Sequence, residues 1–286
     1  CVSVQPAGAE PARSDSSPGG PPVEPPGGPP GGPGAQARGR GLGARRDSSE
    51  QPVRERVVVY DAARLLARLA FRALYRARVE GLEHVPREGA FLIAANHQSH
   101  LDPPLIGGML SSRRLHFVAR SGLFAFGPFG AIIRALNAIP LRENAGDRAA
   151  IEETVRRLGQ GRGVLIFPEG TRSPDGAVHE FKRGVALLVK RAGVPVVPCA
   201  VEGCFDAFPR GTKVPRLWGE RVALRFAPPI PAAELLKDGP DAGLAMLARQ
   251  IDAMRLELRA GLRERTGGRR PRPGAGDGPS AFTPVA

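Results

Sequence analysis

The sequence is poor in the residues that would build several kinds of protein. It carries three cysteines in 286 residues, Cys1, Cys199 and Cys204, too few for a disulfide framework, which suits a reducing compartment better than a secreted scaffold. Aromatic residues make up only 5% of the chain, and without stacking positions or a module signature a nucleic-acid partner is not expected. His97, His100 and Asp102 lie close together, but five histidines in all leave no second cluster to complete a metal site, so no metal is expected. No Gly-x-Ser-x-Gly elbow surrounds Ser99 or Ser173, which removes the usual serine-hydrolase signature. No uninterrupted membrane-length apolar run is present either. The stretch from Leu123 to Leu141 approaches that length, but Pro128, further glycines and Arg134 break it, so a buried helix followed by a strand is expected there.

Large apolar residues are almost missing from residues 1–51, where runs such as Pro25-Pro-Gly-Gly-Pro-Pro-Gly-Gly-Pro33 dominate. Such a segment cannot offset its ordering entropy and is expected to be a disordered tail, as are residues 266–286. One folded domain is expected over 52–265. No basic region followed by an apolar core opens the sequence, and its start at Cys1 reads as that of a fragment. The net charge is +13, while residues 1–50 hold five arginines against five acids. The positive excess therefore belongs to the domain and the C-terminal tail, and favours an anionic partner such as a phospholipid surface.

What is present alternates between two periodicities. Residues 57–78 have helical spacing, with Leu65, Leu66, Leu69, Phe71 and Leu74 expected mostly on one side and Arg64, Arg68, Arg72 and Arg76 forming a stripe. Five arginines and Asp61, each costing up to about 2.5–3.5 kcal/mol near a bilayer centre, put this amphipathic helix on a surface and not across it. Strands are expected at Phe91–Ala95, Leu115–Ala119, Ala138–Leu141, Val164–Phe167, Val194–Val201 and Arg221–Phe226, with Pro195 and Pro198 placing the fifth at an edge or bulge. Helices are expected from Asp102 to Leu110, Gly146 to Leu158, Val185 to Arg191 and across Leu244 to Leu262. The glycines of Gly159-Gln-Gly-Arg-Gly163 follow a helix and precede a strand, the reverse of a phosphate loop, and read as a helix end and turn. The alternation implies an α/β fold, a largely parallel sheet flanked by helices, with an N-terminal amphipathic helix.

Ligands of such sheets sit beyond the carboxyl ends of the strands. Two polar clusters fall there: Asn96-His-Gln-Ser-His-Leu-Asp102 and Pro168-Glu-Gly-Thr-Arg-Ser173. His97 suits a general base near neutral pH, with Asp102 to fix its tautomer. Asp102 before Pro103 equally suits a helix N-cap. Arg172 offers a fork for phosphate, Thr171 a hydroxyl, and Gly170 close backbone approach. Glu169 would orient Arg172, bind a substrate hydroxyl or buttress the loop.

At these residues the sequence resembles the glycerolipid acyltransferase family, most closely its 1-acylglycerol-3-phosphate acyltransferases, from about Val79 to Phe226. Asn96-His97 with Asp102 looks like the family's first motif and Phe167-Pro-Glu-Gly-Thr-Arg-Ser173 like its third; Arg120–Arg142 and Val194-Pro-Val-Val-Pro198 fit the second and fourth more loosely. Arg120 stands where a lysine is common and Asn137 where glycine is usual. The resemblance implies acyl transfer from coenzyme A or acyl-carrier protein, as co-substrate and without a cofactor, to the free hydroxyl of lysophosphatidate. It implies His97 and Asp102 as the catalytic pair, Glu169, Gly170, Thr171 and Arg172 as the acceptor-binding loop, and Arg142 as an aid to phosphate binding. A peripheral or monotopic enzyme at the cytoplasmic face of the cell membrane is expected. Acylation of another lysolipid or glycolipid, or a noncatalytic module that binds anionic membrane, are the alternatives.

Overall fold

Short apolar runs bounded by glycine, proline and polar residues pair side by side because each is apolar on both faces. The computed structural model describes residues 57–120, 136–141 and 146–280. Seven strands form one sheet: β1 (Arg78–Glu80), β2 (Phe91–Ala95), β3 (Leu115–Arg120), β4 (Ala138–Leu141), β5 (Gly163–Ile166), β6 (Val196–Glu202) and β7 (Ala223–Phe226). Their order is β1-β7-β6-β2-β5-β3-β4. The block from β6 to β4 is parallel, whereas β7 runs antiparallel to β6 and carries β1 parallel to itself. The helices are α1 (Val57–Tyr75), α2 (Asp102–Met109), α3 (Gly146–Gly159), α4 (Gly184–Ala192), α5 (Cys204–Ala207), α6 (Ala232–Leu235) and α7 (Pro240–Arg265). The α/β architecture with a mostly parallel sheet is the one the sequence implies.

The pleat of β2 divides the core. Leu92 and Ala94 join Ile151, Val189, Leu244, Leu247 and Ile251 on the face covered by α3, α4 and α7. Phe91, Ile93 and Ala95 join Phe71, Tyr75, Leu105 and Ile106 on the face covered by α1 and α2. The chain leaves β2 for α2 on one face and leaves the adjacent β5 for α4 on the other, which opens a crevice at their shared carboxyl ends.

Three expectations change. Strand β6 is interior, between β7 and β2, and not at an edge. Pro198 is accommodated because its ladder with β7 begins only at Cys199, while the Pro198 carbonyl accepts the Ala227 N–H at 2.9 Å. Helix α1 docks through a stripe that takes Phe71 and Leu74 from the expected apolar side but leaves out Leu65, Leu66 and Leu69. Tyr60, Phe71 and Tyr75 are buried, and Tyr60 Oη accepts the Leu115 N–H at 2.9 Å. Arg64 and Arg68 belong to this inner side and donate to the carbonyls of Ser111 and Gly108, whereas Leu65, Leu66 and Leu69 are 55–67% exposed beside exposed Arg72 and Arg76. Both sides of α1 carry apolar residues, so spacing alone could not choose the buried one. Finally, residues 266–280 have defined partners in place of a free tail. Arg259 donates to Asp277 Oδ1 and to the Arg272 carbonyl, and Ser280 N–H donates to Asp252 Oδ2 at 2.6 Å.

Asn137 adopts φ 60°, the left-handed region that asparagine tolerates better than most residues, so it serves the turn before β4 as a glycine would. Residues 1–56, most of the Leu123–Leu141 run, Arg142 and 281–286 lie outside the described residues. Among the described residues no helix is long and apolar enough to cross a membrane.

Candidate active site

His97 stands one residue beyond Asn96 at the end of β2, where the strand's pairing has stopped and its side chain is released at the rim. Asn96 extends the sheet by proxy: its amide donates to the Val201 carbonyl at 2.9 Å and accepts the Val201 N–H at 2.7 Å, as a strand residue would. This fixes the backbone entering His97. The imidazole Nδ1 lies 2.9 Å from Asp102 Oδ2. The same oxygen accepts the N–H groups of Gln98 and Ser99 at 2.6 and 2.7 Å. Asp102 is therefore the first residue of α2, not its cap, and its carboxylate turns back to hold the 97–99 loop. A proton on Nδ1 would find its acceptor in Asp102 Oδ2, the tautomer that leaves the Nε2 lone pair free. The His97 side chain is 16% exposed while that of Asp102 is fully buried, and the Phe167 ring stacks on the imidazole at 3.9 Å.

The turn after β5 clamps the same residue. Gly170, at φ 68°, closes the turn by donating its N–H to the Phe167 carbonyl at 2.9 Å. That positive φ is a backbone region L side chains rarely adopt, which accounts for glycine, whereas the nearest atoms to a β-carbon there belong to the flexible end of Lys182. Glu169 points inward: Oε1 accepts the His97 N–H at 2.8 Å and Oε2 the His179 N–H at 3.3 Å. Of the roles open to it from sequence, this is the buttress. From the other side the Ser173 N–H donates to the His97 carbonyl at 2.7 Å. Thr171 is exposed and Arg172 half-buried on this turn. Arg172 is close enough to His100 for its charge to reinforce the effect of burial, which lowers the His100 pKa. The structure thus brings His97, Asp102, Glu169, Gly170, Thr171 and Arg172 to one rim; Arg142 lies outside the described residues.

Burial drives the Glu169 pKa from the ordinary carboxyl value of 4.5 to about 8, against the two backbone N–H groups that favour its charge. Folded Glu169 thus holds its proton more tightly than the unfolded chain does. Its contribution to stability is full below about pH 4.5 and is lost as pH rises through about 8. Denaturant midpoints followed across that window should fall more steeply for the unmutated protein than for Glu169→Gln; equal slopes would show that this carboxyl does not titrate there.

Sequence reasoning missed the layer behind the rim. Gln98 donates to Glu202 Oε2 at 3.1 Å and to the Gly176 carbonyl at 2.9 Å. Glu202, at the end of β6 and fully buried, receives Arg259 Nη1 at 2.5 Å and Arg255 Nη1 at 3.4 Å from α7. Arg255 and Arg259 share the inward stripe of Ile251, Leu258 and Leu262, a placement that the spacing already contained. Cys199 and Cys204 are buried, and burial raises both thiol pKa values and keeps them protonated, so neither supplies a thiolate nucleophile. Among the described residues no cluster of three or more His, Cys, Asp or Glu is arranged to hold a metal ion.

Comparison with known proteins gives the family. Residues 76–202 match the family model described as Acyltransferase. The chain is 30% identical over 155 residues to 1-acyl-sn-glycerol-3-phosphate acyltransferase BAT2, chloroplastic, of Brassica napus, a match covering 53% of this chain and 44% of that protein. It is 31% identical over 223 residues to the lyso-ornithine lipid O-acyltransferase of Pseudomonas aeruginosa, covering 72% of this chain and 80% of that one. The crystal structure of the 1-acyl-sn-glycerophosphate (LPA) acyltransferase PlsC from Thermotoga maritima superposes with a TM-score of 0.60 at 28% identity, over 70% of this chain and 80% of that one. The chain spans less than two thirds of the Brassica napus relative's length, but most of the length of the other two. These likenesses place the chain in the acyltransferase family.

Proposed function

We propose that this chain transfers an acyl group from a thioester, carried by coenzyme A or acyl-carrier protein, to the free hydroxyl of lysophosphatidate. The observation that carries the reading is the double clamp on His97, with Asp102 on Nδ1 and Glu169 and Ser173 on its backbone, beside a turn that offers Arg172. In this reading Nε2 of His97 removes the acceptor's hydroxyl proton as the oxygen attacks the thioester carbonyl. The tetrahedral intermediate collapses by breaking the C–S bond, and the departing thiolate takes the proton from the imidazolium. Products are the new ester, phosphatidate, and a free thiol. Arg172 pairs with the acceptor phosphate, and Thr171 adds a hydroxyl donor.

The acceptor lives in a bilayer, and the outer face of α1 suits contact with one: Val58, Leu65, Leu66 and Leu69 are exposed, with Arg72 and Arg76 beside them to meet anionic headgroups. A second reading, acylation of a lyso-aminolipid, is favoured by the length of the match to the lyso-ornithine lipid enzyme. The two separate by product mass. Incubated with acyl-coenzyme A and equal amounts of lysophosphatidate and lyso-ornithine lipid, the chain should form phosphatidate faster, and Arg172→Ala should raise the apparent KM for lysophosphatidate and leave that for the donor unchanged. Preference for the lyso-aminolipid, or an Arg172→Ala effect on the donor alone, would overturn the assignment.

A further inference from the structure

The segment after α5 holds apolar side chains that no part of the described fold covers. Of the nine exposed large apolar residues among those described, five are on α1 and three lie within five residues of one another: Val214 at 73% exposure, Leu217 at 44% and Trp218 at 74%. Trp218 is the single tryptophan of the chain. From Ala207 to Gly219 the sequence contains Arg210, Lys213 and Arg216 and no acid, so the apolar tip sits within a wholly basic loop. The loop has a framed base. Arg216 N–H donates to the Ala207 carbonyl and its guanidinium to the Asp206 carbonyl, both at 2.7 Å, and Thr212 Oγ1 donates to the Pro209 carbonyl at 2.9 Å.

That base is fixed to the catalytic loop. Ser99 Oγ donates to the Phe208 carbonyl at 2.9 Å, and the Phe208 ring lies 6.1 Å from that of His100. Whatever the loop tip binds is thereby held at the His97 rim. A tryptophan with apolar neighbours in a loop that also carries cations suits the boundary between headgroups and acyl chains, where the indole buries its ring and keeps its N–H wet. The cations suit a negative surface, which a second copy of this strongly basic chain would not provide.

We propose that the 209–219 loop is a membrane-docking element, seating Val214, Leu217 and Trp218 at the surface of an anionic phospholipid bilayer and presenting the His97 rim to lipids within it. The proposal rests on the reading that the acceptor resides in a membrane, and it adds a contact distinct from α1.

The single tryptophan reports on the site directly. With the full chain, vesicles of phosphatidylglycerol and phosphatidylcholine should shift Trp218 emission to shorter wavelength, and lipids brominated along their acyl chains should quench it. Phosphatidylcholine alone should give little response. The Val214→Asp/Leu217→Asp variant, checked for an unchanged circular dichroism spectrum, should bind the anionic vesicles about tenfold or more weakly. Co-sedimentation with vesicles while the emission stays unshifted would overturn the proposal and leave α1 as the contact. A shift that grows with protein concentration without lipid would also overturn it, in favour of self-association. Acyl transfer measured on the same sample separates the two claims: activity without a shift removes only the loop proposal, and a shift without activity supports the loop and removes the acyl-transfer reading.

Discussion

Replacing His97 by alanine should lower kcat about 10²- to 10⁴-fold and leave the fold and the KM for either substrate nearly unchanged, the range expected when a positioned general base is lost. The expectation follows from where the imidazole sits. Its ring packs on Phe167 and reaches Asp102, but the backbone bonds that hold the rim use the His97 N–H and carbonyl, which alanine keeps. Asp102→Asn is the sharper companion. With its carbonyl kept at the Oδ2 position, where it still accepts from Nδ1, Gln98 and Ser99, the amide lacks the negative charge that stabilises the imidazolium formed when Nε2 takes a proton. Its loss of kcat should approach that of His97→Ala. If Asp102→Asn retained full activity while destabilising the protein, Asp102 would be a loop staple and not a catalytic partner. A pre-steady-state assay with both substrates saturating distinguishes the cases.

The second large effect concerns stability. Arg255→Ala should destabilise the protein by about 3–5 kcal/mol in urea unfolding, the range found when one member of a buried ion network is removed. Arg255 is fully buried and donates to Asp252, to Glu202 and to the carbonyls of Gly276 and Gly278. Its loss leaves carboxylates in a site where burial already raises the Glu202 pKa against the pull of Arg259 and Arg255. The Arg255→Met/Glu202→Gln pair should recover part of the loss, because it removes one of the two carboxylates that Arg255 leaves behind and fills the space of its side chain. A change below about 1 kcal/mol for Arg255→Ala would mean that water replaces the guanidinium at little cost. Since Gln98 links Glu202 to the His97 loop, this network also ties α7 and residues 274–280 to the site, and activity should decline with the same variants.

The sheet was legible because its strands are short apolar runs between breakers: Phe91–Ala95 and Ala138–Leu141 read directly from sequence and stand in the structure with those bounds. The rim was legible for a related reason, since polar residues that follow buried parallel strands emerge together. What escaped depended on three-dimensional partners. β1 is three residues long and exists because β7 pairs with it. The inward face of α1 is chosen by Tyr60 and Phe71 fitting α2 and by Arg64 and Arg68 finding carbonyls there. The spacing puts Arg255 and Arg259 on the inward stripe of α7 but does not reveal the partner they find there, Glu202 at the end of β6. Residues 266–280 lack large apolar anchors, and polar contacts to α7 hold them in place of a core.

The central claim, that His97 serves as the base for acyl transfer to a lysolipid hydroxyl, is tested most directly by product analysis. Purified protein is mixed with acyl-coenzyme A and lysophosphatidate in anionic vesicles, and phosphatidate and free coenzyme A are followed together by mass spectrometry. The account predicts equimolar phosphatidate and coenzyme A from the unmutated chain, and formation at most one-hundredth as fast from His97→Ala bound to the same vesicles. No transfer by the unmutated chain across lysolipid acceptors, or transfer by His97→Ala at an equal rate, would contradict it.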